Sequence, residues 1–230
     1  MDGEPDVDET IRELIAPFPD VTSAYIASGL HPDFPVEPER GDGTRRLLIA
    51  ACDAFFEVGY SGASTRDIAT AAGMSATAMY AHYESKQAML LKLCVFGSGS
   101  ALENLKRVDR PEDPTPQRLR TAVYAFAKWH AVHHVLCRVA QWDIASLEPH
   151  NLRIVASLRR ETDAFIRSIL LAGIESGEFI VADLSGTTLA ILSLCIDIVR
   201  WFPSRSMHTP ESIAATYAAL AEAMVVPRHA

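Results

Sequence analysis

Residues 64–86 read STRDIATAAGMSATAMYAHYESK, and two helix starts lie within them. Ser64-Thr65-Arg66-Asp67 has the capping-box pattern, in which Ser64 and Asp67 satisfy free N–H groups reciprocally. The helix it opens is short and ends near Ala72-Gly73. Ser75 is a second N-cap, for a helix predicted to run to about Ala81. Gly73 suits the tight turn that lets the second helix cross the first. Ile68, Ala69 and Met79 fall on the inner faces, and Ala72 is small enough for close helix approach. That leaves Ser75, Ala76, Thr77, Ala78, Tyr80 and His82 outside a core. A short helix displaying small residues, a hydroxyl and an aromatic ring fits a DNA major groove, which is about 12 Å wide.

Working outward, candidate phosphate contacts flank this unit. Thr44, Arg45 and Arg46 stand at the start of a preceding helix, Thr65 and Arg66 at the start of the first short helix, and Lys86 at the start of a following one. Cations and helix N-termini both suit phosphate oxygens. Tyr80 and His82 are further candidates for the DNA backbone, with packing of the small bundle as the alternative. The preceding helix spans Thr44 to Val58, with Leu47, Leu48, Ala51, Ala54 and Phe55 on one face, and Gly59 stops it.

The net charge of −8 argues against DNA binding only until its distribution is read. Residues 1–43 carry 2 basic and 11 acidic groups, and residues 44–92 carry 5 and 4. Residues 93–230 carry 14 of each. The acidity therefore belongs to an N-terminal arm, which also holds six of the 13 prolines. Short helices are predicted near Val7–Ala16 and Thr22–Ser28. The arm reads as mostly disordered; the alternative is an extension that docks on the body or tunes DNA affinity by repulsion. The expected organisation is thus an arm over 1–43, a DNA-binding domain over 44–92 and a larger domain over 93–230. No apolar run approaches the roughly 20 residues that span a bilayer, so a soluble cytoplasmic protein and no membrane partner are expected. Cys52, Cys94, Cys137 and Cys195 are too scattered for a C-x-x-C site and read as core residues.

Beyond the first four helices, Pro111, Pro114 and Pro116 mark a boundary. Arg118–Val135 and Leu136–Ser146 read as two helices or one kinked helix. Pro149 starts a long one, with Val155, Leu158, Thr162, Phe165 and Ile169 stepping by three or four. Leu184–Phe202 is apolar nearly all round, so it must be buried on several sides. Thr209 caps a last helix, with Pro210 at its first position and a stripe of Ile213, Tyr217, Leu220 and Met224. The fold class is therefore all-α.

Polar and aromatic residues within these apolar stretches are candidate ligand contacts: Trp129, His130, His133, Gln141, Trp142, Arg159, Phe165, Asp197, Arg200 and Trp201. Asp197 and Arg200 have an equal claim to be an ion pair within one helix. The i, i+3, i+4 spacing of His130, His133 and His134 suits two imidazoles on a metal, but no further ligand lies nearby, so no metal or other cofactor is expected. Arg159 and Arg160 suit an anionic headgroup, or simply solvent.

Residues 45–90, RRLLIAACDAFFEVGYSGASTRDIATAAGMSATAMYAHYESKQAML, resemble the N-terminal domain of the TetR family of repressors. The resemblance rests on Arg46, Ile49, Phe55, Gly59-Tyr60, Thr65, Asp67-Ile68-Ala69, Ala72-Gly73, Ser75, Tyr80, His82-Tyr83, Lys86 and Leu90. Met74 and Tyr83 depart from the usual Val and Phe. The resemblance implies phosphate contacts at Tyr80, His82 and Lys86 and base-facing positions from Ser75 to Ala78. It implies a helix-turn-helix domain of three helices, a C-terminal helical bundle for ligand binding and dimerisation, and a homodimer through Leu184–Phe202 and Pro210–Val225. The partner is then a palindromic operator in double-stranded DNA. Residues 200–224, RWFPSRSMHTPESIAATYAALAEAM, look more loosely like the subgroup regulating fatty-acid and steroid breakdown. That implies repression relieved by a small hydrophobic or acyl-CoA effector. An enzyme is the first rival, but there is no G-x-S-x-G, phosphate-binding Gly loop or H-E-x-x-H, so none is expected. A helical scaffold that does not bind DNA is the second.

Overall fold

The computed structural model describes residues 41–203 and 208–225, and among them it contains helices and no strand. The short helices expected near residues 7–16 and 22–28 lie outside the described residues. The elements are α1 (Gly41–Gly62), α2 (Thr65–Ala71), α3 (Ala76–Tyr80), α4 (Lys86–Val108), α5 (Thr115–Val132), α6 (His134–Trp142), a 3-10 turn (Asp143–Ser146), α7 (Pro149–Glu175), α8 (Leu184–Trp201) and α9 (Pro210–Val225). The all-α expectation holds.

The chain divides into two compact units, one of residues up to Ser100 with Val135–Leu158, the other of Ala101–His134 with Arg159 onward. In the first, α1 buries Leu47, Leu48, Ala51, Cys52 and Phe55. The expected stop at Gly59 is a kink instead. Gly59 takes φ 73 and ψ 163, and helical residues resume to Gly62. That φ is one that L side chains rarely adopt, so glycine is needed here. α1 packs on α2, α2 on α3, and the 3-10 turn on α1. Cys52, Cys94 and Cys137 are buried and form no disulfide among the described residues, and burial holds the Cys52 thiol well above its ordinary range. They fill the core, as expected.

In the second unit α9 packs mainly against α5, and α8 against both. The expected stripe of α9 is rotated. Ile213 is buried with Ala214, Ala218, Ala221 and Val225, whereas Leu220 and Met224 stand 45% and 42% exposed. Alanines let the α9 backbone approach α5 closely, and the larger side chains turn away. The boundary at Pro114 is a true helix start: Arg118 forms two hydrogen bonds of 2.9 and 2.8 Å to Asp109 across it. The segment read as two helices or one kinked helix is two. The first ends at Val132, with His133 as its C-cap.

The expectation that α8 is buried on several sides is corrected. Thr188, Ile191, Leu192, Cys195, Ile198 and Val199 are buried, but Leu189 is 64% exposed. By length and composition this 18-residue helix, with mean hydropathy 1.4, is apolar enough to cross a membrane. Asp197 and Arg200 interrupt it, and its longest uncharged run, residues 184–196, stays short of the roughly 20 that span a bilayer. Helices that are covered by other protein surfaces have the same character.

Candidate nucleic-acid interface and ligand region

Within the first unit the two short helices form as their caps require. The Asp67 amide donates to Ser64 Oγ at 3.1 Å, and the Ser64 hydroxyl donates to Asp67 Oδ2 at 2.6 Å. The box therefore closes through the hydroxyl rather than through the Ser64 amide. The Ala78 amide donates to Ser75 Oγ at 3.1 Å. Gly73 turns the chain at φ 70, and the Met74 amide returns to the Ala69 carbonyl at 2.8 Å. Ile68, Ala69 and Met79 are completely buried. Anchored this way, α3 leaves Ser75, Ala76, Thr77 and Ala78 exposed, and Tyr80 is 55% exposed.

The flanking candidates divide by what they already touch. Arg66 is exposed, and Thr65 and Arg45 are half-buried. Arg46 is exposed but its Nε donates to the Ala72 carbonyl at 3.2 Å, tying α1 to the turn. Thr44 is buried, and its hydroxyl lies 3.1 Å from His82 Nδ1. It was expected at the surface; instead it sits behind the imidazole and positions it. A Cβ at Gly43 would come within 2.8 Å of the His82 ring and 2.9 Å of the Met74 methyl, so a larger residue here would have to displace both side chains. The Lys86 ammonium donates to the Tyr60 and Ala63 carbonyls at 2.7 and 2.8 Å and lies 4.2 Å from the centre of the Tyr60 ring. It caps the end of α1 in this structure.

Two features of the first unit escaped the sequence reading. Arg138 of α6 lies over the rings of Phe56 and Trp142, at 4.7 and 4.0 Å. Asp143 of the 3-10 turn accepts the Tyr60 amide at 3.1 Å. The i, i+4 spacing of Arg138 and Trp142 was a visible signal; the partners on α1 had none.

The candidate ligand residues separate as well. Trp129, His130 and His133 are buried in the second unit, and Arg159 and Phe165 are half-buried there. Trp129 packs on His133 with ring centres 4.0 Å apart. Burial pushes the His130 imidazole down to about 4, with the Arg159 charge acting in the same direction, and pushes His133 to about 3. Both rings are neutral at pH 7. Gln141 and Trp142 belong to the first unit, where Trp142 stacks on Arg138. Asp197 and Arg200 are exposed and pair with each other at 3.3 Å, which is the ion-pair alternative; Trp201 is half-buried beside them. Among the described residues no group of three or more His, Cys, Asp or Glu is placed to hold a metal.

Residues 47–93 match the family model for bacterial regulatory proteins of the tetR family, and residues 112–225 match the tetracyclin repressor-like C-terminal domain. A bacterial regulatory protein in the tetR family from Rhodococcus RHA1 is 36% identical, with a TM-score of 0.79 over 82% of this chain and all of that one. The transcriptional activator FasR of Mycolicibacterium smegmatis is 34% identical over 38% of this chain and 40% of its own. The chain spans half or less of the length of the curated regulators it matches. The fold is shared with AibR, solved with isovaleryl coenzyme A and operator DNA, at 20% identity and a TM-score of 0.70 over 78% of this chain and 97% of that one. The chain belongs to the TetR family of DNA-binding transcription regulators.

Proposed function

We propose that this regulator is a repressor that binds a palindromic operator as a homodimer and is released by an acyl-CoA or similar hydrophobic effector. The carrying observation is α3: a helix held by one buried methionine, with Ser75 to Ala78 and Tyr80 turned outward. Ser75 to Ala78 face bases. Tyr80, Arg45, Arg66 and Thr65 reach phosphates, with His82 oriented by Thr44. The functional division falls at residues 44–92 and 93–230.

The dimer contact is assigned to α8 and α9. Leu189, Leu220 and Met224 are exposed on them, and large apolar side chains turned outward on both helices suit a protein contact. A two-fold pair then sets two copies of α3 about 34–36 Å apart, one helical turn of DNA. An effector that binds better at another spacing lowers operator affinity by the difference, commonly about 1–3 kcal/mol.

The effector reading is supported by the acyl-CoA named with AibR and by buried Trp129, His130 and His133, with Arg159 beside them as a cation for an anionic group. The name of FasR favours activation as a second outcome. Binding to the palindrome upstream of its own or neighbouring genes, measured against salt, tests the reading. Salt-independent or absent binding rejects it in favour of a scaffold, and turnover of an effector would point to an enzyme. In vitro transcription with and without an acyl-CoA separates repression from activation.

A further inference from the structure

His130 is only 6% exposed, and one of its two ring nitrogens is committed. Nδ1 lies 2.8 Å from the Phe126 carbonyl oxygen, one turn earlier on α5. A carbonyl only accepts, so Nδ1 carries the proton and Nε2 carries a lone pair. Nε2 has no hydrogen-bond partner among the described residues. The Phe126 ring meets the imidazole edge-on at 4.4 Å and fixes its orientation. A second proton on the ring is opposed by burial and by the Arg159 charge. His130 is therefore a buried, uncharged acceptor held in one orientation by the Phe126 carbonyl and ring. Such an acceptor is costly to leave unmet and discriminates strongly when a partner arrives.

We propose that His130 Nε2 is the hydrogen-bond acceptor of an effector subsite on α5, taking an O–H or N–H donor carried on an otherwise apolar, uncharged stretch of the effector. This rests on the acyl-CoA reading above. Within it, two groups supply the donor: a hydroxyl on the acyl chain, or an amide N–H of the thioester's pantetheine arm. An anionic group gains nothing from Nε2 itself, which carries a lone pair and no proton to offer.

The test is calorimetric titration of the full chain with decanoyl-CoA, 3-hydroxydecanoyl-CoA and free 3-hydroxydecanoate, in the wild type, His130→Phe and His130→Gln. His130→Phe keeps the ring and removes the acceptor, whereas His130→Gln keeps an acceptor. One neutral hydrogen bond corresponds to about two- to tenfold in Kd. We expect His130→Phe to weaken binding by that factor and His130→Gln to recover most of it, with matching unfolding temperatures as the folding control. A wild-type preference for the hydroxylated thioester that vanishes in His130→Phe identifies the chain hydroxyl. Equal weakening of both thioesters identifies the amide. If 3-hydroxydecanoate alone binds and depends on His130, the subsite stands and the acyl-CoA reading falls. If the thioesters bind wild type and His130→Phe equally, the subsite falls and the acyl-CoA reading stands. No binding by any probe, or equal loss in both variants, overturns the subsite.

Discussion

Asp143 Oδ1 accepts the backbone amide of Tyr60 at 3.1 Å, joining residues 83 positions apart in sequence. The bond falls one residue after the Gly59 kink, where the helical ladder of α1 is interrupted. It gives an amide freed by the kink a charged acceptor, and charge-assisted bonds of this kind are the stronger ones. Asp143→Ala is expected to cost about 1–2 kcal/mol by leaving the half-buried amide unmet. Gly59→Ala is expected to cost at least about 1 kcal/mol from backbone strain. Because the two act on one kink, their effects in the double variant should fall short of the sum. Urea unfolding of the four proteins measures this; strict additivity would mean that the bond and the kink are independent.

Lys86 and Arg66 are both cations of the DNA-binding head, yet the structure uses them differently. Lys86 donates to two carbonyls at the end of α1, while Arg66 is exposed. Lys86→Met is expected to lower stability by about 1–3 kcal/mol and to leave the salt dependence of DNA binding nearly unchanged. Arg66→Ala is expected to leave stability within about 0.5 kcal/mol and to reduce the slope of log K against log salt by about 1.8, one phosphate contact from each head of the dimer. Thermal unfolding and binding titrations across a salt series check both. A slope change in Lys86→Met would show that its ammonium leaves the cap to meet a phosphate.

How much of this was legible in the sequence depends on the range of the interaction. Ser64, Gly73 and Ser75 act within a few residues of themselves, so the caps and the turn of the head were readable from spacing alone. Buried Ile68 and Met79 followed from the same periodicity. The bond from Asp143 to Tyr60, the stack of Arg138 on Phe56 and the burial of Thr44 beneath His82 depend on which helices meet, and no local pattern carries that. The apolar stripe of α9 does not say which of its members face inward. Alanines won the inner face since they allow closer packing, and Leu220 and Met224 were left outside.

That outward face yields a prediction of its own. Leu189 at 64% exposed and Leu220 at 45% exposed lie on the helices assigned to the dimer. Burying a charge there without a partner is costly, and a two-fold contact meets each substitution twice. Leu189→Asp is expected to convert the dimer to monomer at micromolar concentration in sedimentation equilibrium. Operator affinity should fall at least about tenfold while binding of nonspecific DNA changes little, because only the paired heads span two half-sites. A dimer of unchanged mass in Leu189→Asp and Leu220→Asp alike would move the contact to another face.

The buried imidazoles set an acid limit on stability. His130 and His133 titrate near 4 and 3 in the folded chain, against an ordinary value of 6.5, because burial disfavours the charged ring. Between pH 6.5 and 4 the unfolded chain therefore binds protons that the folded chain does not, and stability rises with pH. The contribution of these groups is complete above about pH 6.5 and is lost as pH falls, each histidine costing about 1.4 kcal/mol per pH unit over that window. Glu178 and Glu211, held low by Thr115 and Lys128, add losses of the same sign at lower pH. The unfolding temperature should therefore drop steeply from pH 7 to pH 5, before most carboxylates titrate. His130→Phe removes one of the two groups and is expected to flatten that drop by about half. His134→Gln, at a half-buried ring whose charge acts on His133, should change it much less. A wild-type unfolding temperature that is flat from pH 7 to pH 5 would mean that both buried rings take up protons in the folded chain.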